Sequence, residues 1–204
     1  MIQRTVSALA VTLVLTCGLW ASTVMQVSFQ EMVATSEFIF EGTVIGQEAI
    51  RPDGSRNIFT RVTFAVSDVL KGDNDASTVS LYFMGGTIGS LTLSISDLQI
   101  PKNGERGIYF VESIAKRQVH PLYGWNQGRF LILNDRDGNP RVHTAKGEPI
   151  RSVGKTATPT VAALLDGATA AALGVEVAAD SAGVESVLTP GAFKQRIRDI
   201  GGLQ

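Results

Sequence analysis

Apolar and polar residues alternate with a period of two, turn dipeptides separate such runs at short intervals, and no long helical pattern lies between them. Together these predict a mainly β, antiparallel fold, a sandwich or a barrel rather than a parallel α/β sheet. The clearest run is residues 58–72, IFTRVTFAVSDVLKG. Ile58, Thr60, Val62, Phe64 and Val66 fall on one face and Phe59, Arg61, Thr63, Ala65 and Ser67 on the other, as a half-buried strand requires. At about 3.3 Å per residue it exceeds the usual strand length and can pair with different neighbours at its two ends, as long strands of small closed barrels do. The fold is expected to be organised around it.

The beginning of the 204-residue chain reads as a secretory signal, residues 1–22. Arg4 supplies a short positive region, and the apolar run 6–19 is short of the ~20 residues that span a bilayer. Cleavage after Ala21 or Ser22 is expected, the alternative being an uncleaved anchor. Cys17 is the single cysteine, and Thr16 before it replaces the small residue that lipidation needs. The mature chain then holds no disulfide and no thiolate metal site, is exported to the periplasm or outside the cell, and has no membrane span. Without Arg4, 17 basic residues face 19 acidic ones, about −2 overall and with no long block of either sign. That balance argues against nucleic acid as partner.

Ser28 with Glu31 forms a capping box that opens a two-turn helix, with Phe29, Met32 and Val33 on one face and an end at Ser36 and Glu37. Residues 38–45, FIFEGTVI, are the first strand. Pro52, Asp53 and Gly54 turn the chain into the long strand. Strand three is 78–84, and GGTIGS at 85–90 turns into strand four, 91–95. Strand five is 107–112, entered through Asn103 and Gly104, and a hairpin of 129–133 with 141–144 turns at Asp137 and Gly138. Residues 23–155 make one β domain, 156–188 read as an Ala/Thr/Gly-rich linker with a loose helix around 161–165, and 189–204 as a C-terminal docking helix. Thr189 is its N-cap and Pro190 its first residue; Phe193, Ile197 and Ile200 form the docking stripe, leaving Lys194, Arg196 and Arg198 to solvent.

Acid-base or metal chemistry would draw on His120 and His143, the two histidines, yet neither has a partner at ligand spacing. Asp135, Asp137, Gly138 and Asn139 resemble the start of a calcium loop but lack its distant glutamate, so turn chemistry accounts for them. Gly154, Lys155 and Thr156 do not complete a phosphate loop, because Pro149 stands where the motif needs its first glycine. Ser113 with Lys116 and Ser152 with Lys155 match the Ser-x-x-Lys pair without its companion motifs. The sequence calls for no cofactor and no metal.

The candidate binding surface is the loop 120–129, HPLYGWNQGR. Tyr123 and Trp125 bring flat apolar rings with polar handles, and Asn126, Gln127 and Arg129 add hydrogen-bonding groups that can grip a peptide or a sugar. Against this stands the reading in which Trp125 plugs one end of a barrel. A second candidate is Gly85 with Gly86, where absent side chains let another backbone approach, or where a plain hairpin turns.

SEFIFEGTVI, a long strand ending in VLKG, and GERGIYFVE together resemble the strand order of netrin-like domains, the OB-fold barrels that include the tissue inhibitors of metalloproteinases. With GGTIG and GWNQGRFLI, the region 28–133 is also similar to uncharacterised exported bacterial proteins. The resemblance implies an OB-like barrel of five to six strands with a short N-terminal and a C-terminal helix. Zinc chelation by an N-terminal cysteine does not carry over, because the mature chain has none. The expectation is a non-catalytic exported binding domain whose partner is an extracytoplasmic protein or peptide. The alternatives are an inhibitor or accessory factor of a secreted protease, and a hydrolase of unrecognised type.

Overall fold

The computed structural model describes residues 25–73, 77–154, 171–178 and 187–203. The signal segment and the loose helix around 161–165 lie outside the described residues. In chain order come α1 (Phe29–Thr35), β1 (Phe38–Ile50), β2 (Phe59–Lys71), β3 (Thr78–Met84), β4 (Gly86–Ile88) and β5 (Leu91–Leu93). There follow β6 (Arg106–Val111), a 3-10 turn (Trp125–Gly128), β7 (Arg129–Asn134), β8 (Pro140–His143), β9 (Ile150–Val153), β10 (Val175–Val177) and α2 (Pro190–Gly201).

The fold is mainly β and antiparallel, with a six-stranded sheet in the order β3-β2-β1-β6-β7-β8. Its pivot is β1 rather than β2, for β1 pairs with β2 along 39–50 and with β6 along 38–43. Three register shifts between β1 and β2 bend and twist the pair, as bulges do. Among the described residues the sheet does not close into the expected barrel. Local pairings occupy the edges instead: the Val142 amide donates to the Leu188 carbonyl at 2.9 Å beside β8, and the Met84 amide donates to the Val119 carbonyl at 3.0 Å beside β3. Within the stretch read as a linker, Val175–Val177 pairs with β9.

Both faces of β1 and β6 are covered, because alternate residues point into two separate cores. Ile39, Ile108 and Phe110 meet Phe29 and Met32 of α1 and Phe193 and Ile197 of α2. Phe29 holds Phe110, Phe130 and Phe193 edge-on with ring centroids 5.5–5.9 Å away. On the other face Phe38, Phe40, Val62, Phe64, Phe83 and Tyr109 form the second core. Phe64 on β2 and Tyr109 on β6 touch across β1 at 4.7 Å. Gly42 faces Gly107 across the β1–β6 ladder, and neither position has room for a side chain. A Cβ on Gly42 would stand 2.8 Å from the Ala65 carbonyl oxygen and 2.9 Å from the Phe40 ring; one on Gly107, 2.6 Å from the Phe130 carbonyl oxygen.

Both helices carry the N-cap side chains that their sequences predict, although the capping box at Ser28 is completed on one side only. Ser28 Oγ accepts from the Glu31 amide at 3.1 Å, and Thr189 Oγ1 from the Ala192 amide at 3.2 Å. The Glu31 carboxylate accepts from the Tyr123 hydroxyl at 2.7 Å, tying α1 to the loop 120–129. Lys194 is not left to solvent. It lies 2.8 Å from Glu41 on β1 and 2.8 Å from Asp68 on β2, with Arg198 3.6 Å from Asp68. Glu41 is 2 % exposed and also accepts from Arg106 at 2.6 and 3.0 Å. Burial alone would raise its carboxyl pKa; the hydrogen bonds and charges of Lys194 and Arg106 outweigh burial and hold it below its ordinary value.

Gly107→Ala is expected to lower stability by about 1–3 kcal/mol. Gly46→Ala, whose Cβ meets nothing within 4 Å, should stay within about 0.5 kcal/mol. Urea midpoints decide, and equal losses would contradict the packing assigned to Gly107. A lowered carboxyl pKa adds stability that is fully present above the ordinary value of 4.5 and is lost as pH falls through the lower folded value. The melting temperature of the wild type should therefore exceed that of Glu41→Gln most near neutrality, the gap shrinking below pH 4.5. A gap independent of pH would contradict the ion pairing.

Candidate functional site

The loop 120–129 adheres to the end of β6. The Glu112 amide donates to the Pro121 carbonyl at 2.9 Å and the Tyr123 amide to the Phe110 carbonyl at 2.8 Å. Gly124 and Trp125 then both adopt the left-handed region, with φ of 65° and 60°. For a tryptophan this conformation costs on the order of 1–3 kcal/mol. Trp125 offsets part of it by stacking on His120, ring centroids 5.6 Å apart and planes 10° from parallel.

His120 is buried, with Phe83 edge-on to its ring at 5.1 Å. Its Nδ1 accepts from the Leu122 amide at 3.2 Å, which leaves the proton on Nε2. That nitrogen is buried without a hydrogen-bond partner among the described residues. Burial, and then the charge of Arg129, push the pKa of His120 down to about 3. The ring is a neutral packing element that Trp125 covers.

Tyr123, half-buried against the first core, and Trp125, stacked on His120, each have a partner within the fold. The polar half of the loop also turns inward. Gln127 clamps the N-terminal segment, its Nε2 donating to the Met25 carbonyl at 3.1 Å and its Oε1 accepting from the Val27 amide at 3.0 Å. Asn126 Nδ2 donates to the Asp97 carbonyl at 2.7 Å. Asp97, at φ 61°, and Trp125 are the non-glycine residues with positive φ among the described residues, so Asn126 links the strained points of two loops. Arg129 is 5 % exposed; its Nη1 donates to the Gln99 carbonyl at 3.1 Å. Its Nε lies 3.3 Å from Glu105 Oε1 as an ion pair, without the alignment of a hydrogen bond.

Asn126, Gln127, Arg129 and Phe130 nonetheless form one wall of a cleft. Thr144, Ala145 and Lys146, from the turn between β8 and β9, stand opposite, and Gln99, Ala171 and Ala172 complete it. Its volume as cavities are ordinarily measured is about 30 Å³, set within about 400 Å³ of space that includes open solvent, so it is a shallow cleft. The turn is held by Thr144, which donates to Glu148 at 3.0 Å. Ala171 is held by Gln26 Nε2, which donates to its carbonyl at 2.6 Å.

Nothing in the sequence joined Lys146 or Ala171 to the loop 120–129. The turn signal at 144–147, TAKG, was the one available hint, and it marks a bend without saying what it faces.

Gly85 and Gly86 are brought close to a backbone, as expected, but to the chain's own β2. The Gly85 amide donates to the Ile58 carbonyl at 2.8 Å, the Thr60 hydroxyl donates to the Gly85 carbonyl at 2.8 Å, and a Cβ on Gly86 would stand 2.7 Å from that hydroxyl. The pair opens the small β4–β5 hairpin. The Asp135 carboxylate accepts from the Asp137 and Asn139 amides at 3.0 and 2.8 Å and from Arg141 at 3.0 Å, which is turn chemistry. His143 Nδ1 lies 3.1 Å from the Arg141 carbonyl oxygen. Among the described residues no three His, Cys, Asp or Glu side chains gather as metal ligands. Comparison of the chain with protein-family models, curated proteins and solved structures found no match.

A histidine held neutral by burial contributes stability that is complete above its ordinary value of 6.5 and is lost as pH falls towards about 3. The imidazole resonances of His120 should stay those of the Nε2-protonated neutral ring from pH 7.5 down to about 5. Titration with a midpoint near 6.5 would contradict the buried placement.

Proposed function

We propose that this chain is an exported, non-catalytic binding domain with an OB-like, netrin-like fold, and that its ligand sits in the cleft between the loop 120–129 and the turn 144–148. The observation that carries this reading is the cleft itself. Three of the side chains singled out from the sequence, Asn126, Gln127 and Arg129, line it, and each is held rigid by hydrogen bonds to backbone groups. A pre-organised wall loses little freedom when a ligand arrives.

Strand adjacency supports the fold reading. A long first strand between a meander (β2, β3) and a returning pair (β6, β7) is compatible with a barrel that is partly open, as OB folds are. The commitment of His120 to packing supports binding over acid-base work. No described helix is long and apolar enough to cross a membrane.

A photo-crosslinking residue placed at Ala145, which lines the cleft, should capture a discrete exported partner or peptide, while the same residue at Asp53, in the β1–β2 turn, should not. Identical products from both positions, or none from position 145, would overturn the assignment of the cleft.

A further inference from the structure

We propose that the cleft recognises a carboxylate carried on a small apolar group, the chemistry of an alanine-like residue with a free C-terminus; this rests on the cleft being the binding site. Its lining residues carry two cations, Arg129 and Lys146, and no acid. Two carboxylates pair with lining residues without lining the cleft themselves, Glu105 with Arg129 at 3.3 Å and Glu148 with Thr144 at 3.0 Å. Glu105 holds the Arg129 guanidinium in place and takes up part of its charge. Lys146 is exposed and has no carboxylate within ion-pair reach among the described residues, so its ammonium is the uncommitted cation at the rim.

The remaining lining sets the size of what accompanies the anion. Ala145 and Ala171 are the partly exposed small residues of the lining, while Ala172 and Phe130, 3 % and 2 % exposed, belong to the first core. Ala171 is fixed by the hydrogen bond from Gln26, so that wall is set by backbone rather than by a mobile side chain. A methyl-sized side chain gains apolar contact there. A carboxylate at the exposed rim pairs with Lys146 and feels the part of the Arg129 charge that Glu105 leaves. An amide in the same position forfeits both attractions, and the selectivity follows from charge rather than from shape.

Two sources share this chemistry, the C-terminus of a peptide and a free small amino acid. Calorimetric titration of the full mature chain with N-acetyl-alanyl-alanine, with the same dipeptide as its C-terminal amide, and with free alanine separates them. The acid should bind at least about tenfold more tightly than the amide, and Lys146→Gln should remove about that factor. Ala171→Leu, filling the apolar side, should weaken the acid further while leaving the melting temperature of the protein nearly unchanged. Free alanine binding as tightly as the dipeptide acid assigns the site to a free amino acid; weaker binding assigns it to a peptide C-terminus. Equal binding of acid and amide, or binding unaffected by Lys146→Gln, overturns the proposal. So does failure of both carboxylates to bind, and if crosslinking from position 145 still captures a partner, the cleft stands and the ligand chemistry alone is wrong.

Discussion

Between β1 and α2 a carboxylate is taken out of water. Glu41 lies on a strand whose first half is covered on both sides, with Phe38 and Phe40 in one core and Ile39 in the other. An unpaired carboxylate there would cost several kcal/mol. Lys194 from the last helix and Arg106 from β6 resolve this together. The cation needed by the sheet thus arrives on the helix that also supplies Phe193 and Ile197 to the first core, so ion pairing and apolar docking fix the same element in the same register. One residue further on, Gly42 leaves room for the Phe40 ring of the second core. A charged residue and a glycine in succession set how both layers attach to the sheet.

The loop 120–129 leaves that framework at β6 and obeys it. Trp125 is held at a positive φ while its ring covers the neutral imidazole of His120, and the Tyr123 hydroxyl is bonded to Glu31 of α1. With the rings anchored in this way, the polar residues that follow are placed along the cleft with little freedom of their own. Backbone strain at Asp97 and Trp125, joined by Asn126, marks the place where the fold spends stability on geometry. The strain sits beside the cleft.

Local chemistry was legible in the sequence and long-range pairing was not. The strand 78–84 and both helix caps follow from alternation, from Ser28 and from Thr189, all of which act within a few residues. β1 was expected to end at 45 and extends to Ile50 because β2 pairs with its polar second half, a partner that periodicity does not reveal. β4 was hidden in a glycine-rich turn, since what makes Gly86–Ile88 a strand is its ladder with Leu91–Leu93. Lys194 read as solvent-facing because its partner Glu41 lies 153 positions earlier in the chain. The residue types of the loop 120–129 single it out, but the partner that each group takes within the fold is not legible in them. Arg129 meets Glu105, 24 positions earlier in the chain, a partner that the residues of the loop do not reveal. The opposite wall, Thr144 to Lys146, has no sequence signature beyond its turn.

The central claim is that the loop 120–129 is divided, its rings serving packing and its polar residues framing the site. Amide chemical-shift mapping of the isotopically labelled chain, titrated with N-acetyl-alanyl-alanine, addresses this most directly. The account predicts perturbations gathered at Gln99, Asn126, Ala145, Lys146 and Ala171, with the indole of Trp125 and the amides of β3 unmoved. Perturbations centred on the Trp125 indole and Tyr123, with Ala145 and Lys146 unaffected, would contradict it.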